Sequence, residues 1–180
     1  MRQLIVPITF LFLLTGCMEH VEQSYPGSWA APALAVGNNC PNVAGVFQTK
    51  GESADAQWST NLVIQLFGRT PDWNSVDRVT LRFVDSDHLL IEALLGSRPL
   101  HTTTLVRGSN QFTCEDGYVV LRRKGFDVGE GVIEWSASTL HLALSNGALV
   151  VKENKKEIGV LYIVPGGGRV TAWTRYRSPQ

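Results

Sequence analysis

Charge is scarce and balanced in this sequence: 16 Lys and Arg stand against 16 Asp and Glu, and the formal net charge at pH 7 is +0. A nucleic-acid partner, which needs a basic surface to neutralise phosphates, is therefore not expected. Catalytic signatures are missing as well. His88, His101 and His141 fall on separate expected strands, with no His-Glu-x-x-His, His-x-His or neighbouring Cys. No metal-ligand set is expected from them, and surface or hydrogen-bonded histidine is the plainer reading. No serine occupies a Gly-x-Ser-x-Gly elbow. Gly166-Gly167-Gly168 lacks the Lys, the Ser or Thr and the following helix of a phosphate loop, and is expected to be a hairpin turn. Asp85 and Asp87 read as turn formers rather than as a general acid and base. An enzyme is not expected, nor a cofactor.

Long apolar runs are lacking too. Beyond the first residues, none approaches the roughly 20 residues that cross a bilayer as a helix. The run that is present, Leu4 to Leu14, follows the single positive Arg2 and has the length of a signal-peptide core. It ends in Leu14-Thr15-Gly16-Cys17. In these four residues the chain resembles bacterial lipoproteins, whose lipobox is Leu, a small residue, Gly or Ala, and Cys. The resemblance implies cleavage before Cys17, diacylation of its sulfur and acylation of the new amino terminus, which would place the chain in a bacterial cell envelope. Met18 stands where lipoproteins kept at the inner membrane of enteric bacteria typically have Asp. That implies an outer-membrane protein facing the periplasm. The alternative is an ordinary secretory signal with a chance cysteine at its end.

This partition makes residues 1–16 a signal peptide, 17–39 a lipidated flexible tether without periodicity, and 40–180 a single domain. Within the tether only Trp29 and Leu34 are large enough to dock. Cysteine is scarce, with three in all. With Cys17 assigned to lipid, Cys40 and Cys114 remain as a pair in a compartment that permits disulfides, and a bond between them is expected; two separate buried thiols are the alternative.

What is abundant is strand pattern. Val43 to Thr49 reads as a first strand, and its Gly45-Val46-Phe47 resembles the Gly-x-Trp signature of lipocalins. Ser59 or Thr60 is expected to cap a short helix with Leu62, Val63, Leu66 and Phe67 at helical spacing, stopped by Gly68 and Pro71. From Asp77 onward strands dominate. Alternation predicts Val79, Leu81, Phe83, Leu89, Ile91, Leu140, Leu142, Leu144, Val160 and Tyr162 in one interior, with Arg78, Arg82 and Lys152 outside. Breaks are expected at Asp116-Gly117, at Gly125 to Gly131, at Ser145-Asn146-Gly147, over Asn154 to Glu157, and at Pro165 to Gly168.

The expected fold is thus mainly β, an antiparallel meander of about eight to ten strands. A meander of that size forms a closed or nearly closed, lipocalin-like β-barrel with one short helix, or alternatively a β-sandwich. Alternating arginines exclude an outer-membrane barrel. The bases Arg122, Arg123, Lys124, Lys152, Lys155, Lys156, Arg169, Arg175 and Arg177 dominate the second half. They form a basic face towards anionic lipid headgroups or glycan polymers, unless they are simply the solvated face of strands. Two function classes follow: a membrane-tethered envelope module that meets a protein partner, and a carrier of a small hydrophobic ligand, for which no binding residue is evident.

Overall fold

A computed structural model describes residues 18–37, 39–54, 60–68, 71–129, 132–161 and 164–179. Cys17 and everything before it, Ser59 and Tyr162 lie outside these residues. The described chain is mainly β. Its strands are β1 (Met18–Glu22), β2 (Gly45–Gln48), β3 (Lys50–Ser53), β4 (Thr60–Asn61), β5 (Arg78–Phe83), β6 (His88–Leu95), β7 (Arg98–Val106), β8 (Phe112–Glu115), β9 (Tyr118–Gly129), β10 (Val132–Ser145), β11 (Ala148–Leu161) and β12 (Val164–Tyr176). One sheet has the order β4-β3-β12-β11-β10-β9-β8 with β1 added on β12, and the other has the order β2-β5-β6-β7. Pairing is antiparallel except at β1, which runs parallel to β12. Neither sheet closes on itself.

The turns follow from residue chemistry. Asp116 and Gly117 join β8 to β9 at φ 52° and 79°, and Asn146 and Gly147 join β10 to β11 at φ 48° and 77°. Two consecutive left-handed positions match the right-handed twist of a hairpin and favour Asn, Asp and Gly. Asp85 Oδ1 accepts from the Asp87 amide at 2.8 Å, closing the Asx turn between β5 and β6.

One core cluster joins the two sheets. Phe47, Val79, Leu81, Leu89 and Ile91 face it from the smaller sheet, and Val119, Leu121, Leu140, Leu142, Leu149, Val151 and Tyr176 from the larger. Phe83 and Leu144 are half-buried at its margin, and Arg82 is exposed, as alternation requires. The helix α1 (Leu62–Phe67) lies against the inner face of the larger sheet just past Leu121 and Val151. Its Ile64 and Gln65 carbonyls accept from Arg123, its Gln65 Nε2 donates to Glu153 at 2.8 Å, and Tyr176 donates to Gln65 Oε1 at 2.7 Å. The N-cap is Asn61, not Ser59 or Thr60: its Oδ1 accepts from the Val63 amide at 2.9 Å. The apolar interior ends at this helix.

The break expected from Gly125 to Gly131 is, as far as Gly129, part of β9 and paired with β10, because glycine weakens a strand but does not remove its backbone donors and acceptors. Three more expectations fail, each for a physical reason. The tether is no free coil over the described residues. β1 pairs with β12, Trp29 is buried, and the Ala33 and Ala35 amides donate to the Leu144 and Gly117 carbonyls at 2.7 and 3.2 Å. Aperiodic sequence conceals such a strap, because backbone bonds and a few aromatic anchors hold it rather than a repeating apolar face. Second, Asn154 to Glu157 is no turn. β11 runs unbroken through it, paired on both sides; the segment is polar but contains no Gly or Pro to break a strand. That restores continuous alternation, so Val160 takes the face opposite to Leu149 and Val151, not the core. Third, Pro165 to Gly168 belongs to β12. Gly167 is there for space: a Cβ on it would lie 2.7 Å from the Glu157 carbonyl oxygen. Pro165 pairs with Val160 and precedes the first residue of β12 that β1 pairs with, Gly167, so it occupies an edge.

Candidate interaction surface

Cys40 and Cys114 form a disulfide, with Cα atoms 5.1 Å apart and a sequence separation of 74. It fixes the end of the strap to β8. Ahead of it the strap crosses the outer face of the larger sheet. Trp29 packs with Ala143, Val150 and Trp173 in a second apolar cluster, with Tyr25 and Tyr118 at its rim. Tyr25 meets Trp173 edge-on at 4.8 Å between centroids, and the Arg175 guanidinium stacks over Trp29 at 4.9 Å.

The second-half bases do not form one free basic face. Arg122 is paired with Glu115 at 2.7 Å, Arg123 is spent on the helix carbonyls, Lys152 lies 5.6 Å over the Trp173 ring, and Lys155 pairs with Glu157. Arg175 and Arg177 share Glu52 at 2.7 and 3.1 Å. The Arg175 hydrogen bond leads in holding the Glu52 carboxyl below its ordinary range, and Arg177 adds to it. Beside them an open hollow of about 550 Å³ is lined by Ser28, Ser145, Asn146, Arg175, Arg177 and Ser178. Lys124, Lys156 and Arg169 are left, all exposed and without an ion pair among the described residues.

These three cations share one cross-strand row. Ala137 of β10 is opposite Lys124 of β9 and Lys156 of β11, and Lys156 is opposite Arg169 of β12. Towards the strand ends, the same face carries Trp135 opposite Ile158 and Ile133 opposite Val160. Trp135 and Ile158 are each 50% exposed and Ile133 40%. The opposite face of this region carries Glu134, Ser136, Lys155 and Glu157, with Val170 opposite Lys155. The four strands thus project as an arm about 25 Å long, counted from Thr139 to Val132 at the usual strand rise. Reading a turn into Asn154 to Glu157 concealed this apolar patch; the missing Gly and Pro in that segment were the available signal.

The histidines do not converge. His88 Nδ1 lies 2.8 Å from Asp85, His101 stacks edge-on against Phe67 and Trp73, and His141 sits under Tyr118 with its Nδ1 unpartnered among the described residues. Burial, followed by the nearby Lys152 charge, holds His141 below its ordinary range. Among the described residues no three His, Cys, Asp or Glu side chains are grouped to hold a metal, and no helix is long and apolar enough to cross a membrane. Comparison with protein-family models, with curated proteins and with solved structures returned no match for this chain.

Proposed function

We propose that this chain is a lipid-anchored module of a bacterial cell envelope, held by acylated Cys17 and acting through its surface as an interaction or accessory protein. The Leu14 to Cys17 lipobox carries the reading. It is supported by the disulfide between the two remaining cysteines, a bond typical of an exported chain. A surface role is favoured over a ligand carrier because Tyr176, Phe47 and Phe112, all fully buried, occupy the interior where a carrier would hold its ligand. We read the two sheets as one nearly closed barrel. Only Thr49 separates β2 from β3, Gln48 donates to the Arg177 carbonyl at 2.9 Å, and a bridge between Arg107 and Phe112 spans the other seam.

Replacing Cys17 by Ser should move the protein from the membrane to the soluble fraction, since buried acyl methylenes supply the affinity at roughly 0.8 kcal/mol each. Intact mass of the detergent-extracted chain should show the acyl groups on a chain beginning at Cys17. Unmodified Cys17, or an unchanged membrane partition of Cys17→Ser, would refute the reading.

A further inference from the structure

The end of the strap and the end of the arm meet. β1 runs parallel to β12 with Met18 opposite Gly167; Gly167 is opposite Ile158, and Ile158 is opposite Trp135. Met18, Gly167, Ile158 and Trp135 therefore lie on a single row across β1, β12, β11 and β10, a span of about 15 Å at the usual strand spacing. Cys17 is the residue before Met18. Next to this row, on the side of the core, lie the cations Lys124, Lys156 and Arg169.

We infer that the arm is a second membrane contact: it lays Ile133, Trp135 and Ile158 into the interfacial layer of the phospholipid bilayer, and Lys124, Lys156 and Arg169 onto the lipid phosphates. The inference rests on the reading of Cys17 as the lipidated residue, and adds to it which end of the domain faces the lipid. Its occupant follows from three features together. An exposed apolar patch of two isoleucines and an indole has no role in the core. Tryptophan favours the headgroup level of a membrane, where one side of the ring is apolar and the other wet. The cations stand one cross-strand row behind the apolar ones, at the depth where anionic headgroups lie when the apolar rows are inserted. The acylated Cys17 holds the domain to the bilayer at one point, and the strap paired to β12 keeps that point beside the arm. An inserted arm adds a second point of contact and so gives the domain one orientation.

The test uses the chain extracted from envelope membranes and reconstituted into vesicles of phosphatidylethanolamine and phosphatidylglycerol with brominated acyl chains, which quench indoles at short range. Bromine should lower the emission of the unaltered chain, and Trp135→Phe should reduce that loss about twofold or more, because an interfacial indole is the one within reach. Lys156→Glu combined with Arg169→Glu should weaken the quenching and its sensitivity to salt. Intact mass of the same sample separates the two readings. An acylated chain whose quenching is the same with and without Trp135 overturns the arm and leaves the anchor standing, as it would if the patch instead met a protein. A chain without acyl mass whose Trp135 is quenched overturns the anchor and leaves the arm. A chain without acyl mass that is not quenched overturns both.

Discussion

At the base of β9 to β12 the inner face carries Leu121, Leu140, Leu142, Leu149 and Val151 in the core, and the outer face is roofed by Tyr25 and Trp29 of the strap. Along the arm the same strands, in the same uninterrupted register, carry Glu134, Ser136, Lys155 and Glu157 inside and Ile133, Trp135 and Ile158 outside. Beyond helix α1 the described core ends, and without a bulge the exposed apolar side chains Ile133, Trp135 and Ile158 stand on the outer face. The stability of the sheet thus comes from its base. The arm is aligned by a hydrogen-bonded ladder that the base has already placed in register. Its apolar residues Ile133, Trp135 and Ile158 are 40–50% exposed, so they bury less surface in the fold than those of the base.

The largest effect that would sharpen this contrast concerns the disulfide, which belongs wholly to the base. Replacing Cys40 and Cys114 together by Ser reopens a loop with a sequence separation of 74. In the chain-entropy model this costs about 4 kcal/mol, enough to lower the urea midpoint severely or unfold the domain. A midpoint that hardly moves would mean that the strap and β8 hold together without the bond.

Next in size is Leu142→Ala. The side chain is fully buried, and its truncation should cost about 3 kcal/mol, against less than about 0.5 kcal/mol for Ile158→Ala on the arm. The two are read from denaturation curves of the two variants. Equal losses would break the comparison, because Ile158 would then be packed as core.

How much of this was legible in the sequence follows the same division. The base was readable because alternation there coincides with burial on one face and because Asn-Gly and Asp-Gly fix the hairpins; Val79, Leu81, Leu89, Ile91, Leu140 and Leu142 are buried as their spacing demands. The mainly antiparallel β architecture was readable for that reason. The arm was not. In a strand with no apolar stripe on one face, polar residues such as Asn154 to Glu157 look like a turn, and a run such as Pro165 to Gly168 looks like another. Only the neighbouring strands reveal both as ladder. The strap was hidden because a segment held by its backbone and by Tyr25 and Trp29 leaves no periodic trace.

A smaller effect is expected at the roof of the base. Trp29→Ala removes a buried ring and the surface on which Arg175 stacks. The loss should be about 2 kcal/mol, below the usual range for core tryptophans because the second cluster is small. Amide hydrogen exchange should then rise along the strap and leave β5 and β6 protected. Uniform loss of protection would show that strap and core unfold as one unit.

The smallest effect lies at His141, on the outer face between the roofed base and the bare arm. Its ring is half-buried among Val120, Lys152 and Tyr118. Burial leads in disfavouring the imidazolium, Lys152 and Arg122 add repulsion, and the Lys152 backbone and Glu115 offset part of it. In the unfolded chain the ring titrates near 6.5, and in the folded one below that. Between the two values the unfolded state binds the extra proton, so this contribution to stability is complete above 6.5 and is lost as the pH falls through the lower, folded value. Glu52 acts in the same direction, but only below 4.5, as its Arg-paired carboxylate is protonated. The two losses therefore begin at different pH, that of His141 below 6.5 and that of Glu52 below 4.5. The urea midpoint of the unaltered chain should begin to decline gently as the pH falls below 6.5, and His141→Gln should remove that first decline while leaving the loss below 4.5 in place. An unchanged slope in His141→Gln would mean that water reaches this row as freely as it reaches the arm, and that the boundary between the two regions lies nearer to the strap.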